Sequence, residues 1–290
     1  MTKIIKSFKG FDKDLKCRGF QYEIGKEYEE KEAKACHCGF HACEHPLDVF
    51  SHYTPNDSRY CEVEQSGEID KSKSDKICST KIKIGAELSL KDIVAAAIKF
   101  TFEKSTPENT KHATGDCSAS SATGNKGASS ATGNKGASSA TGYKGASSAT
   151  GNKGASSATG YKGASSATGD YGASSATGDY GASSATGNYG ASSATGNYGA
   201  SSATGNCGAS SATGNYGASS ATGLNSIALA AGYKCKAKGA IGSWLCIAER
   251  DEWNGETYPI KDVRAVKVDG ETVKADTWYQ LINGELKEVE

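Results

Sequence analysis

The hexapeptide Ala-Ser-Ser-Ala-Thr-Gly occurs twelve times between Ala119 and Gly223, once every nine residues, without an insertion or a gap. Self-similarity this strict, at so short a period, restricts the chain to a solenoid or array. Five residues of extended chain span about 17 Å. The intervening Gly-Xaa-Xaa-Gly, as in Gly196-Asn197-Tyr198-Gly199, is turn chemistry, because Gly and Asn tolerate positive φ. Nine residues are too few to enclose an interior and return to their start. About eighteen suffice, as two short strands and two turns. The expected fold is mainly β: a two-sided β-solenoid of about 18 residues per coil, with two sheets back to back.

The variable turn residues fit that period. One edge reads Lys126, Lys144, Lys162, Tyr180, Tyr198, Tyr216, and the other reads Cys117, Lys135, Lys153, Tyr171, Tyr189, Cys207. Each edge is therefore a ladder with rungs about 4.8 Å apart, and six coils of strict repeat span about 29 Å. Strand alternation places either Ala119, Ser121 and Thr123 inside, or Ser120 and Ala122. The first choice is preferred because it buries three residues per strand. Either interior consists of very small side chains, so buried hydroxyls must bond one another along the ladder. A silk-like disordered tract shares this composition, but the unbroken phase favours the solenoid.

Lys plus Arg and Asp plus Glu number 33 each, so no basic footprint for nucleic acid is expected. Met1-Thr2-Lys3-Ile4-Ile5-Lys6 lacks the apolar core of a secretory signal, and no run reaches the length of a membrane span. The ten cysteines are then expected to be reduced, and the chain cytoplasmic.

Residues 1–112 have ordinary globular composition and read as an α+β domain. Short strands are predicted around Ile5, Phe20-Gln21-Tyr22, Tyr60–Val63 and Ile82–Ile84, with a short helix from Pro46. A longer helix follows Ser89, with Asp92 at the capping-box position. The solenoid is assigned to 113–243. Residues 244–290 read as a small antiparallel β cap, with turns at Asp269-Gly270 (between Val266–Val268 and Thr272-Val273) and at Asn283-Gly284. An exposed terminal coil would template pairing with another chain, so a cap is needed.

Cys36, Cys38, His41 and Cys43 are candidate metal ligands, because Cys and neutral His are the usual zinc donors. Their spacing fits no standard knuckle, and Cys61 or Cys78 would have to complete the set. A buried strand and turn with incidental cysteines is the simpler expectation, and no cofactor is expected.

Three resemblances bear on function. Gly39-Phe40-His41-Ala42, a helix ending at Tyr53 and a strand bearing Glu62 and Glu64 loosely resemble ADP-ribosyltransferases. That resemblance implies catalytic roles for His41 and for Glu62 or Glu64, although no complete triad stands at matching spacing. Lys9-Gly10-Phe11-Asp12, Cys17-Arg18-Gly19-Phe20-Gln21, Gly39–Cys43, Pro46–Phe50 and Glu64–Glu68, followed by the nine-residue repeats, resemble an uncharacterised domain family frequent in bacteriophages and prophages. It implies a phage origin and, with it, a host cytoplasm, but supplies no activity. Asn225–Ala230 and Cys235–Gly242 resemble trimeric autotransporter adhesin heads, whose strand period differs.

The expected function is a non-catalytic binding or scaffold protein, acting on a host or defence component or on a second copy of itself. Tyr171, Tyr180, Tyr189, Tyr198 and Tyr216 are its candidate contact residues, since tyrosine supplies rigid amphipathic area. The alternatives are an ice-binding solenoid and an ADP-ribosyltransferase-like enzyme in the N-terminal domain.

Overall fold

A computed structural model describes residues 4–55, 58–73, 75–104 and 110–289. The chain divides into two compact units, Met1–Ile93 and Val94–Glu290.

The first unit is built on two long antiparallel strands, Arg59–Asp70 and Ile77–Leu88. Ile5–Phe11 pairs with the first, and both Glu27–Glu29 and Phe40–Ala42 pair with the second. A register shift between Cys61 and Val63 turns both Tyr60 and Cys61 inward, which strict alternation forbids. Phe11, Tyr22, Phe40, Val63, Ile82 and Ile84 form the core. Buried among the strands, Gln65 accepts from Ser7 Oγ (2.8 Å) and donates to Phe40 O and Ser79 Oγ, so burying this amide leaves no polar atom unpaired. Pro46–Ser51 is a 3-10 helix.

The helix Leu90–Lys104 starts in the first unit and continues in the second. Ser89 Oγ receives the Asp92 backbone N–H, while Asp92 Oδ2 accepts from Ser89 N (3.0 Å) and from Ser89 Oγ (2.7 Å). This is the predicted capping box.

The second unit is the solenoid. Strands from alternate repeats stack in parallel, each residue on its counterpart eighteen positions away: Ala137 on Ala119, Ala155 on Ala137. A front sheet contains Ala119–Thr123, Ala137–Thr141 and their successors, and a back sheet contains Ala128–Thr132, Ala146–Thr150 and theirs. Less regular coils extend both ends. Thr110–Thr114 opens the back sheet, while Ile227–Ala230, Lys236–Gly239 and Trp244–Arg250 close the stack. Each sheet thus has eight parallel rungs rather than the six of the strict repeat.

The inward face reverses the expected choice. Ser120, Ala122 and their equivalents are buried, and Ala119, Ser121 and Thr123 of the front sheet face outward. The reason lies in the hydroxyls. Ser129 Oγ donates to Ser120 Oγ, Ser138 to Ser129, and so on to Ser219, a chain of eleven bonds of 2.9–3.0 Å that crosses between the sheets at every step. One serine per strand satisfies itself in a single file. The alternative would have buried two hydroxyls per strand, Ser121 and Thr123, with Thr at the strand end.

The C-terminal cap finishes each sheet with antiparallel strands. Ile260–Lys267 pairs with Trp244–Arg250, and Trp278–Ile282 pairs with Lys236–Gly239 and then with Glu285–Val289. Asn283-Gly284 is the expected two-residue hairpin loop, with φ of 54° and 74°. Asp269-Gly270 is not a hairpin: its flanks do not pair, because the strand ending at Lys267 takes Trp244–Arg250 as partner. The Asp269 carboxylate instead closes a local turn on Glu271 N and Val273 N. Large residues return here, with Leu245, Ile247, Val268, Tyr279 and Leu281 forming a conventional core. The outer strands carry Lys261, Asp262, Arg264 and Lys267, and Glu285, Lys287 and Glu288, which blunt both edges against further pairing.

Glu249 ties the cap together. Its carboxylate accepts from Lys261 Nζ (2.8 Å), Asn283 N (3.0 Å) and Gly284 N (2.7 Å), and the side chain is only a tenth exposed. The Lys261 hydrogen bond, with the two backbone donors, holds its carboxyl below the usual range. A lowered carboxyl contributes stability that is present above the unfolded value and lost as pH falls through the folded one. Glu249→Gln is therefore expected to destabilise the cap by about 1–3 kcal/mol at neutral pH. The deficit should shrink as both proteins are melted at successively lower pH. A constant deficit across that range would remove the charge from the account.

Candidate functional site

Among the described residues, the front face of the solenoid and a pocket of the N-terminal unit have the geometry of a site.

In the solenoid the same hexapeptide meets two environments. On the back sheet the first alanine of each repeat (Ala128, Ala146, Ala164 and on to Ala218) is at most 1% exposed, whereas its front-sheet counterparts are exposed. The front face is an open trough of about 770 Å³, lined by the alanine and serine rows of Ala119, Ser121, Ala137, Ser139 and their successors. Thr123, Thr141, Thr159, Thr177 and Thr195 stand exposed along one side of it.

The edges carry the five tyrosines singled out by the repeat, and the structure separates them. Tyr180, Tyr198 and Tyr216 share one edge with Tyr143, Tyr161 and Tyr233 in a continuous row of ring contacts, stacked except for the tilted Tyr161–Tyr180 and the edge-on Tyr216–Tyr233 pairs. Tyr180–Tyr198 and Tyr198–Tyr216 lie 5.1 Å apart and within 9° of parallel. These three rings are half-buried, and burial pushes the Tyr180 phenol up to about 12. Tyr171 and Tyr189 stack on the other edge (5.0 Å, 7°), and each is 55% exposed.

The tyrosine turns differ from the lysine turns in backbone as well. Lys135, Lys144, Lys153 and Lys162 donate their N–H back to the preceding coil. Tyr171, Tyr180, Tyr189 and Tyr198 donate forward to the next one and hold φ of 58–60°. This left-handed conformation costs a non-glycine residue about 1–3 kcal/mol, and one stacked aromatic neighbour returns about 0.5–1.5 kcal/mol. Side-chain oxygens make up the difference. Asp170 Oδ1 accepts from Asn188 N, Asn188 Oδ1 from Asn206 N, and Asn206 Oδ1 from Leu224 N; Asp179, Asn197 and Asn215 repeat the pattern on the opposite edge. Stacked rings and amide ladders together hold the tyrosine turns.

The N-terminal unit contains a pocket of about 300 Å³ lined by Lys9, Cys17, Arg18, Phe20, Tyr22, His41 and Tyr53 among others. Of the three residues with candidate catalytic roles, only His41 lies here. Glu62 and Glu64 project from the outward-facing side of their strand. Glu62 pairs with Lys6 (3.6 Å), and Glu64 lines a separate depression beside Tyr28 and Lys83. Strand alternation, which buries Val63 and Gln65, keeps these carboxylates apart from the histidine.

The cysteine–histidine stretch is dispersed by its own hydrogen bonds. His41 Nε2 accepts from Cys36 N (2.9 Å), while Nδ1 stands 4.0 Å from Cys78 Sγ, which donates to Cys38 O. Cys43 is buried. Burial pushes the Cys78 thiol up to about 11 and the Cys61 thiol up to about 12. Among the described residues no group of three or more such side chains is placed to hold a metal.

Lys9 and Tyr53 escaped the sequence analysis. Lys9 sits on a short alternating strand, where a lysine ordinarily faces solvent, and nothing local announces that it is 4% exposed. Burial pulls its ammonium down, and the neighbouring Cys17 sulfur pulls it back up.

The sheet and the pocket coincide with a recognisable domain. Residues 5–96 are a DUF7666 domain, a domain of unknown function. The solenoid lies outside the matched segment. No curated protein and no solved structure matches the chain. Of the five segments that carried the family resemblance, Lys9–Asp12, Cys17–Gln21 and Gly39–Cys43 together contribute most of their residues to this pocket, Pro46–Phe50 contributes Val49, and Glu64–Glu68 lies outside it.

Proposed function

We propose that the chain is a non-catalytic binding and scaffold protein whose solenoid presents its front trough to a protein surface, first of all to a second copy of itself. The single supporting observation is the inequality of the two faces: the first alanine of each repeat is covered on the back sheet and exposed on the front, where it lines the trough. A strand width of about 17 Å and a strict-repeat length of about 29 Å offer about 490 Å² per partner, or about 1,000 Å² in a face-to-face pair. That is the lower bound for a stable interface, and small side chains let two such faces approach closely. Exposed Tyr171 and Tyr189 flank the trough as contact residues, and Tyr180, Tyr198 and Tyr216 serve the fold first. In a phage or prophage setting the assembly would act in the host cytoplasm on a host or defence component.

Light scattering coupled to size exclusion tests this directly. The 29.9 kDa chain is expected to run at about twice that mass. Ser157→Arg, in the middle of the trough, is expected to return it to the monomer. A monomeric wild-type chain at all concentrations overturns self-association.

The exposed threonine, serine and alanine rows of the front face favour one second reading, adsorption to ice, for which a thermal-hysteresis measurement is decisive.

A further inference from the structure

We propose that the pocket of the DUF7666 domain is a covalent capture site for small carboxylates carrying an electrophilic carbon, with Cys17 as the nucleophile. Cys17 closes the short strand Lys16–Cys17 and faces Phe20 across the loop Arg18-Gly19, whose φ values of 51° and 80° mark a tight hairpin. Its Sγ accepts a hydrogen bond from Tyr53 Oη at 2.9 Å and another from Lys9 Nζ at 3.6 Å. Lys9 is itself held by His41 O at 2.9 Å and by the faces of Phe11 and Tyr22, each 5.4 Å from Nζ.

The arrangement depends on Gly10. A Cβ there would meet Cβ, Cγ and Cδ2 of Tyr53 at 2.5–2.7 Å, so the missing side chain is what lets the tyrosine lie close enough to reach the sulfur. Two residues of the pocket rim, Arg18 and Cys36, hold left-handed backbone conformations that disfavour side chains. Strain of this kind persists where the surroundings over-determine it, and it gathers at functional sites.

Nucleophilic cysteines lie in electropositive, partly exposed surroundings, whereas buried structural ones are inert. Cys17 is half-buried and lines the pocket beside Lys9 and Arg18. Cys61 and Cys78 are buried, and burial pushes both thiols up. Lys9, Arg18 and Lys76 set three cations in the lining against one acid, Glu30, which selects an anionic ligand; Phe20 and Tyr22 supply an aromatic wall.

With an α,β-unsaturated acid the step is an addition. Sγ bonds to the β-carbon, the alkene electron pair moves to the α-carbon, and that carbon takes the proton surrendered by the Cys17–Lys9–Tyr53 cluster. No second product leaves. With iodoacetate the Sγ–C bond forms as the C–I bond breaks, iodide departs, and the Cys17 proton passes to solvent.

The test is alkylation of the full-length chain at neutral pH with limiting iodoacetate or iodoacetamide, resolved by site with mass spectrometry. Exposed Cys117 and Cys207 of the solenoid turns are internal references. Cys17 is expected to react about tenfold faster than either reference with iodoacetate, and to prefer iodoacetate over iodoacetamide more strongly than they do. Tyr53→Phe and Lys9→Met are each expected to slow Cys17 by about tenfold while leaving Cys207 unchanged. Tyr53→Phe keeps the ring against Gly10 and carries the test should Lys9→Met fail to fold. Reaction at Cys17 no faster than at Cys117 and Cys207, or unchanged in Tyr53→Phe, overturns the proposal.

Discussion

Gly160→Ala is expected to destabilise the solenoid by about 3 kcal/mol or more, a large fraction of the stability of an ordinary domain. Gly160 opens a turn with φ of 153°, where an L side chain is strained by about 1–3 kcal/mol. The added Cβ would also be driven into the carbonyl oxygen of Gly142, one coil below, and would stand 2.7 Å from the carbonyl carbon. That carbonyl belongs to a backbone pinned on both sides. Gly142 N donates to Thr159 O (3.0 Å) and Gly160 N to Thr177 O (2.9 Å), so neither coil can step aside without losing ladder bonds. Overpacking of this kind costs a further 1–3 kcal/mol or so. Gly115 is the control: its φ is 123°, but a Cβ there meets nothing within 4 Å, so Gly115→Ala should show the conformational strain alone. Urea unfolding of the two variants separates the terms. Equal losses would mean that the coils are free to spread, and that the turn glycines serve conformation rather than close stacking.

Cutting the interior hydroxyl chain is the second large effect. Ser165 accepts from Ser174 (3.0 Å) and donates to Ser156 (2.9 Å), all three fully or nearly fully buried. Ser165→Ala leaves one donor, Ser174 Oγ, without its acceptor and one acceptor, Ser156 Oγ, without its donor. Expected losses are about 1–3 kcal/mol, since a stranded buried polar atom forfeits its full desolvation cost. Ser219 stands at the end of the file and makes a single bond within it, to Ser210. Ser219→Ala should therefore cost less than Ser165→Ala. Replacing every serine of the file by alanine removes donors and acceptors together, and is expected to be far milder per site than the single central change. Denaturant midpoints of the three proteins test the ordering. An end substitution as damaging as the central one would show that the bonds act separately rather than as a file.

The contrast between the two units explains what could be read in advance. Nine-residue periodicity is local, and the turn residues Lys162, Tyr180 and Tyr198 already imply an eighteen-residue coil with ladders on both edges. The capping box at Ser89 and Asp92 and the Asn283-Gly284 loop were legible for the same reason, since each completes its chemistry within four residues. The Asp269-Gly270 hairpin failed because a local turn signal does not choose a strand's partner. In the DUF7666 domain, Lys9, Cys17 and Tyr53 meet through sheet pairing and a vacancy at Gly10, and no pattern along the chain registers such a meeting.

By itself, then, the sequence determined a two-sided solenoid, its coil length and its lysine-to-tyrosine edges, because each follows from period and turn chemistry. Only the tertiary structure decided which face of the strand turned inward, on which sheet the first alanine of each repeat was covered, and which side chains shared the N-terminal pocket. Alternation along a strand is symmetric between its two faces. What broke the tie was the pairing of one serine hydroxyl per strand across the interior, a relation between coils that exists only once they are stacked.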